Sequence, residues 1–201
     1  METIGKIFGS QARVKIMRLF LLNQNSCFDA PDLFLKCKVQ KTAVKKEMKV
    51  LEGAGFVKRK KFLKEYKKGN KIKKKKVFGW CLNADFTYLI QFQNLLAITG
   101  SADKGNMTKR IKNTGNIKML VLSGIFLKDS EREIDILIVG DGIKRKSLDS
   151  VMEVIQSEIG KELNYAVFTS DEFSYRLSLH DRFIRDILDY PHERLVDKLN
   201  I

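Results

Sequence analysis

A dense run of basic residues marks one stretch of the chain as a candidate phosphate-binding surface. Between Lys58 and Lys76 there are twelve lysines and arginines and a single acid, Glu65. The lysine ammonium is a compact point charge that suits phosphate, whereas base edges are read more often by Arg, Asn or Gln. We therefore expect this stretch to bind a polyanion through charge. For a charge run taken alone, a solvated surface without a ligand is the alternative.

The segment 41–52, just before this run, predicts a helix with two different faces. Val44, Met48 and Leu51 recur at helical spacing and form an apolar stripe that predicts a packed face. A second stripe is cationic and consists of Thr42, Lys45, Lys46 and Lys49. Near the helix start, Gln40 and Thr42 are the side chains best able to read base edges.

A second kind of chemistry is indicated by the carboxylate pair Glu133 and Asp135. One residue separates them at the start of the apolar stretch 134–139, which predicts a strand, so both are expected to point to the same face. Two carboxylates on one face can hold Mg²⁺. Ordinary surface acids at the start of a strand are the alternative.

Three helices are predicted to position the basic residues. Ser10 is a good N-cap for a helix that ends near Asn23, and Asp29 with Pro31 starts a short second helix. The third is the cationic segment 41–52, which Gly53 or Gly55 is expected to stop.

A β-hairpin is predicted to follow the third helix. Residues 56–66 and 72–82 indicate two strands joined by Gly69-Asn70, a dipeptide that accepts the positive φ of a tight turn. The residues expected to anchor the base of the hairpin are Val77, Phe78, Trp80 and Leu82.

Three helices followed by a basic hairpin, with the junction Leu51-Glu52-Gly53-Ala54-Gly55-Phe56-Val57, resemble a winged helix-turn-helix domain over about the first 80 residues. The resemblance implies that the third helix enters the major groove of double-stranded DNA and that the hairpin, the wing, contacts phosphates. The DNA-binding residues that follow from it are Gln40, Lys41, Thr42, Lys45, Lys46, Lys49, Arg59, Lys60, Lys64, Lys67, Lys68, Lys71, Lys73, Lys74 and Lys75. Binding of RNA, or of nucleic acid in general, through the wing alone is a further alternative.

The second half resembles the minimal nucleotidyltransferase domain in its order of a Ser123-Gly124 turn, hairpin, acidic strand, helix and strand. In that family the turn holds a nucleotide, and Glu133 and Asp135 would be the metal-binding pair. The third carboxylate of the family has no counterpart in the strand at 164–168, so we expect an inactive domain for sensing or dimerisation and no cofactor. The alternative is an active nucleotidyltransferase that uses Mg²⁺ and a nucleoside triphosphate.

The distribution of charge also divides the chain after about residue 82, where the resemblance to a winged helix-turn-helix domain ends. Residues 1–82 hold 22 of the 38 Lys/Arg and 6 of the 24 Asp/Glu, a net of +16, while residues 83–201 carry a net of −2. We therefore expect an α+β protein with a winged helix-turn-helix domain at 1–82, a linker helix at 83–100 and a small α/β domain with a mixed sheet at 101–201.

The linker helix has apolar residues on two sides, which is explained either by a homodimer contact or by burial within one chain. The three cysteines, Cys27, Cys37 and Cys81, are far apart in the sequence and form no Cys-x-x-Cys motif, which favours reduced thiols. No signal peptide or membrane-spanning run is evident, so the expected location is the cytoplasm, without a membrane partner. Binding of a small molecule or a nucleotide by the second domain is a further alternative.

Overall fold

The computed structural model describes residues 2–68, 71–96, 104–127, 129 and 132–199, and it is a mixed α+β chain. Its contacts divide it into two compact units. One consists of Met1–Ile98 with Ser157–Lys161, and the other of Thr99–Gln156 with Glu162–Ile201. Over the described ranges, no helix has the length and apolar character needed to cross a membrane.

The first unit is built from helices and one small sheet. In chain order its elements are α1 (Glu2–Ile7), α2 (Gln11–Leu22), β1 (Cys27–Phe28), α3 (Ala30–Cys37), α4 (Lys41–Gly53), β2 (Val57–Lys68), β3 (Lys71–Leu82) and α5 (Leu89–Leu96).

The helix starts predicted from the sequence are confirmed by the caps. Ser10 Oγ accepts a hydrogen bond of 3.2 Å from the Arg13 amide at the start of α2. Asp29 and Asp32 form a reciprocal capping box at the start of α3, with Pro31 in the first turn. Such caps satisfy amides that a helix leaves without intrahelical partners. After α4, Gly55 takes a φ of +75°, which a residue with a side chain adopts only at a cost.

The sheet of the first unit has the order β1-β3-β2 and is antiparallel throughout. The β2–β3 hairpin runs from the pair Val57↔Leu82 to the pair Lys68↔Lys71, and the predicted Gly69-Asn70 turn lies outside the described residues. The sequence pattern does not predict β1. Gly79 is needed where β1 meets β3, because a Cβ there would collide with the carbonyl of Phe28.

A disulfide joins β1 to β3. Cys27 and Cys81 are directly opposite each other in the strand register and are bonded, with their Cα atoms 4.3 Å apart. The expectation of reduced thiols is therefore wrong for these two residues. Cys37 is free and buried.

The core of the first unit is apolar and continuous across its helices. Phe20, Leu33 and Phe56 are fully buried, and the ring of Phe56 meets that of Phe92 edge-on at 6.3 Å. Through Phe92 and the buried Leu96, α5 packs on this core. Ile90 and Leu95 of the same helix stay exposed, so burial within the chain accounts for only part of its apolar residues.

The second unit contains a mixed four-stranded sheet. Its elements are α6 (Lys104–Lys112), β4 (Asn116–Leu122), a 3-10 turn (Gly124–Leu127), β5 (Ile136–Asp141), α7 (Arg145–Ile159, whose last residues belong to the first unit), β6 (Tyr165–Phe168), α8 (Ser170–Ser178), α9 (Arg182–Leu188) and β7 (Glu193–Asp197). The strand order is β6-β5-β4-β7, with β5 and β6 parallel and the other pairs antiparallel.

Two strand boundaries differ from the sequence prediction in a way that matters for the acidic pair. The apolar run 117–126 predicts a strand over its whole length, but β4 ends at Leu122, and the strand predicted at 134–139 begins at Ile136. Glu133 and Asp135 therefore precede β5.

Candidate nucleic-acid interface

Helix α4 separates its two stripes as the sequence predicts. Val44, Met48 and Leu51 are buried. The exposed side chains include Gln40, Lys41, Thr42, Lys45, Lys46 and Lys49. In the part of the chain that the structure describes, no salt bridge engages Lys45, Lys46 or Lys49. The helix thus presents a cationic stripe to solvent whose charge is not neutralised by a neighbouring acid.

The orientation of α4 is fixed by contacts at its buried side and its start. Glu47, buried on the inner side, accepts a hydrogen bond of 2.7 Å from Arg13 Nε of α2. The turn before α4 is made by Lys38, whose φ is +49°. Gln40 occupies the N-cap position but its side chain makes no capping hydrogen bond, so its amide is not used by the helix.

The ammonium of Lys41 is the exception among the cations at the start of α4. It lies 5.2 Å from the ring centroid of Phe34, a cation–π contact with the preceding helix. The side chain is exposed, and contacts of this kind at exposed sites are worth about 0.5–1 kcal/mol, so Lys41 is only weakly held.

The hairpin has two chemically different faces, because successive residues of a strand point to opposite sides. We call one the aromatic face; its cross-strand pairs are Arg59↔Trp80, Lys61↔Phe78, Leu63↔Lys76 and Glu65↔Lys74. We call the other the anchor face; its pairs are Lys58↔Cys81, Lys60↔Gly79, Phe62↔Val77, Lys64↔Lys75 and Tyr66↔Lys73.

Lys64 gives the anchor face its name. Its ammonium lies 2.9 Å from Asp29 Oδ1 and 2.7 Å from Asp32 Oδ1, both at the start of α3. Burial opposes the charge of Lys64, but the hydrogen bonds to Asp32 and Asp29 outweigh it and raise its pKa. Burial likewise opposes the charge of Asp29, yet the Asp32 amide and Lys64 hold the pKa of that carboxyl below its ordinary value. Lys64 is thus compensated within the protein.

Other predicted hairpin cations differ in their partners. Lys74 pairs with Glu65 at 2.9 Å, with both side chains more than half exposed, and a pair so solvated contributes little. Arg59, Lys60, Lys73 and Lys75 are exposed, and none of them forms a salt bridge within the described ranges. The backbone of Lys67, Lys68 and Lys71 belongs to the strands, and their side chains lie outside the described part.

Phe78 is a surface residue for which the sequence prediction is wrong. The pattern predicts an anchor at the base of the hairpin, but the side chain is 63% exposed. The core beneath the aromatic face ends at Trp80 and Leu82, which pack against buried residues, and Phe78 lies beyond them along β3. Period-two alternation predicts which side a residue faces, but not where the body of the protein stops.

The aromatic face pairs each ring with a cation. Arg59 lies 5.8 Å from the ring of Trp80, and the Lys61 ammonium lies 5.2 Å from that of Phe78. Trp80 is held in place because its Nε1 donates a hydrogen bond of 3.0 Å to Glu52 of α4. An open cavity of about 460 Å³ is lined by Arg59, Lys60, Lys61 and Phe78.

The carboxylate pair of the second unit does not form the expected geometry. Glu133 is exposed, whereas Asp135 is buried, so they do not share an open face. Asp135 Oδ1 accepts a hydrogen bond of 2.9 Å from the Ile125 amide, and Oδ2 accepts one of 2.9 Å from the Asn164 amide. The expectation that both acids lie on a strand and face one way is therefore wrong. Both carboxylate oxygens of Asp135 accept hydrogen bonds from backbone amides.

The Ser123-Gly124 turn is closed by the same aspartate. Ser123 is buried and its hydroxyl donates to the carbonyl of Ile134. Gly124 has a φ of +52°, and a Cβ there would lie 2.5 Å from Asp135 Oδ1. This turn therefore packs against Asp135. In the residues that the structure describes, no three His, Cys, Asp or Glu side chains are grouped to hold a metal ion.

In comparisons with protein-family models, curated proteins and solved structures, nothing matches this chain.

Proposed function

We propose that the first unit binds double-stranded DNA as a winged helix-turn-helix module, and that the chain is a transcriptional regulator. The observation that carries the proposal is the cationic stripe of α4, exposed along one side while the other side is buried. The α2-β1-α3-α4-β2-β3 order and the β1-β3-β2 sheet support it, since α4 is then the recognition helix and the hairpin is the wing.

In this proposal, α4 and the wing contribute different contacts to DNA. On α4, Lys45, Lys46 and Lys49 supply positive charge, while Gln40 and Thr42 are the polar groups near the helix start that could meet base edges. On the wing, the exposed lysines supply phosphate contacts. Lys64 is left out of this surface because its charge is paired with Asp29 and Asp32.

The test removes two charges from α4 and compares the result with two removed elsewhere. The double variant Lys45→Ala/Lys46→Ala should bind duplex DNA more weakly, and the slope of log affinity against log salt should fall by about 1.8, or about 0.9 for each phosphate that is no longer neutralised. The matched control is Lys109→Ala/Lys112→Ala on α6, which removes the same charge from exposed positions of the second unit. Equal slopes for the two double variants would reject α4 as the DNA-contacting helix.

We propose a homodimer with α5 as the contact. This helix carries no charged residue and exposes Ile90 and Leu95, with Tyr88 just before it. The exposed Gln91 and Asn94 lie between Ile90 and Leu95 around the helix, so the surface is uncharged and apolar in part. In a chain with a net charge of +14, an uncharged surface is where two copies meet with the least repulsion. Ile90→Lys/Leu95→Lys should convert a dimer to a monomer in light scattering, and a wild-type monomer would reject the proposal.

For the second unit we propose a sensing or dimerisation role. Because Asp135 is engaged by two backbone amides, we assign it a structural role, and we do not extend the nucleotidyl-transfer alternative to this site.

A further inference from the structure

The aromatic face of the hairpin combines two exposed apolar side chains, which phosphate contacts to a duplex do not require, with neighbouring cations. A large aromatic ring, Phe78, is mostly exposed. Leu63, next to it along the same face, is exposed as well. Both lie among cations, so burial against a hydrophobic protein surface is not the only use for them.

We propose that this face binds unpaired nucleotides, with a base stacked on Phe78 and the adjoining phosphates held by Lys61 and Arg59. The site is distinct from α4, and it does not depend on the duplex binding proposed above. Its ligand is a single-stranded segment of nucleic acid.

Stacking requires a ring with an open side and a base with an open face. The exposed ring of Phe78 supplies the first, and only an unpaired base supplies the second, because duplex bases hide their faces in the stack. Leu63, diagonal to Phe78 in the strand register, extends the apolar surface toward the size of a base.

The positive charges around Phe78 also favour a single-stranded nucleic acid as the ligand. The Lys61 ammonium is 5.2 Å from the centre of the Phe78 ring, so the phosphate of a base stacked there lies within reach of it. Arg59, Lys61 and Phe78 of this face, together with Lys60 between the two cations in β2, line an open depression of about 460 Å³. Among the described hairpin residues, the acid of this face is Glu65, which is paired with Lys74, and Glu52 of α4 accepts the hydrogen bond of Trp80. The residues that line this depression beside Phe78 are all basic.

The chain carries its own reporter for this site. Trp80 is its single tryptophan, and it lies on the aromatic face beside the Lys61↔Phe78 pair. A base bound at Phe78 should therefore quench or shift the intrinsic fluorescence of the protein.

The experiment titrates the full chain with three ligands of matched charge: a short oligothymidine, an abasic oligomer of the same length, and an acidic peptide. We expect oligothymidine to bind about tenfold more tightly than the abasic oligomer, the factor that one base–aromatic stack supplies. Equal binding of the two oligomers, or equal binding of the peptide, would overturn the proposal. This comparison uses the unmodified protein and does not depend on any variant.

A pair of variants then locates the site. Phe78→Leu keeps an apolar side chain but removes the ring, and it should remove the preference for oligothymidine while leaving duplex affinity within about twofold. Tyr66→Leu removes an exposed ring from the anchor face of the same hairpin and should leave both affinities unchanged. If Phe78→Leu weakens duplex binding as much as single-strand binding, the ring acts on duplex DNA and the unpaired-base proposal is wrong. Failure of duplex binding itself is recognised separately, by the α4 variants.

Discussion

Lys64 joins the hairpin to the residue that caps α3, since its ammonium lies 2.9 Å from each carboxylate oxygen of Asp29. The same Asp29 accepts a hydrogen bond of 2.9 Å from the Asp32 amide. One carboxylate therefore serves both the helix start and the hairpin. This connection ties the hairpin to the start of α3, and it separates Lys64 from the exposed lysines of the hairpin.

Lys64 and Lys75 are opposite each other in the strand register, so they form a matched pair for mutation. We expect Lys64→Gln to lower the free energy of unfolding by about 1–2 kcal/mol, because the variant cannot form the charged hydrogen bonds to partly buried acids. Lys75→Gln, at an exposed position, should stay within about 0.5 kcal/mol. Chemical denaturation of the two variants measures this.

In DNA binding, the effect of the two variants should be reversed: the Lys75 variant should change the salt dependence and the Lys64 variant should not. Lys75→Gln should lower the salt slope by about 0.9, the value for one phosphate contact, and Lys64→Gln should leave it unchanged. The reverse pattern, with Lys64 setting the slope, would show that its ion pairs open when DNA binds.

The same ion pairs predict how stability depends on pH. The pKa of Asp29 is lowered in the folded protein, so its contribution is fully present above the ordinary aspartate pKa of about 3.9 and is lost as the pH falls through the lower folded value. The pKa of Lys64 is raised, so its contribution is present below about 10.4 and is lost as the pH rises through the higher folded value. The difference in unfolding free energy between wild type and Lys64→Gln should be constant between these limits. A difference that shrinks near neutral pH would contradict this assignment.

Local signals predict the first unit well, and non-local contacts account for what they miss. The caps at Ser10 and Asp29 are local, since each involves residues three apart, and both are confirmed. β1 has two residues, too few to show alternation, and its pairing with β3 involves Cys27 and Cys81, 54 residues apart. No spacing rule reaches across that distance.

The prediction for the acidic pair of the second unit failed for a related reason. Its spacing predicts a shared face only if both residues lie on the strand, and β5 starts one residue after Asp135. The amides that hold Asp135 belong to Ile125 and Asn164, which are 10 and 29 residues away. The exposed position of Phe78 was equally hidden, because it depends on where the core ends.

The Cys27–Cys81 disulfide should contribute strongly to the stability of the first unit. It encloses α3, α4 and most of the hairpin in a loop with a sequence separation of 54. Chain entropy alone gives about 4 kcal/mol for a loop of this length. Cys27→Ser/Cys81→Ser should therefore unfold at much lower denaturant concentration than the oxidised wild type, and a dithiol reductant should bring the wild type to the same midpoint. An identical midpoint with and without reductant would contradict the prediction.

Cys37 is the internal control for that experiment. Burial raises the pKa of its thiol to about 12, so it should resist alkylation in the folded protein at neutral pH. Mass spectrometry should count no alkylated cysteine in the native chain, one after unfolding without reductant and three after unfolding with it. Labelling of two or more cysteines in the native chain would mean that the disulfide is open.

Variants of Asp135 and Glu133 test whether the acidic pair stabilises the fold or binds a metal ion. Asp135→Ala removes the acceptor of two backbone hydrogen bonds at a buried position, and we expect the free energy of unfolding to fall by about 3 kcal/mol. Asp135→Asn keeps one acceptor oxygen and should be less destabilised, while Glu133→Gln at the exposed position should stay within about 0.5 kcal/mol. Thermal unfolding with and without Mg²⁺ separates the two roles. A structural aspartate gives the same Tm in both conditions for wild type and for Asp135→Asn. A wild-type Tm that rises with Mg²⁺, together with an Asp135→Asn Tm that does not, would restore the metal site that the spacing first indicated.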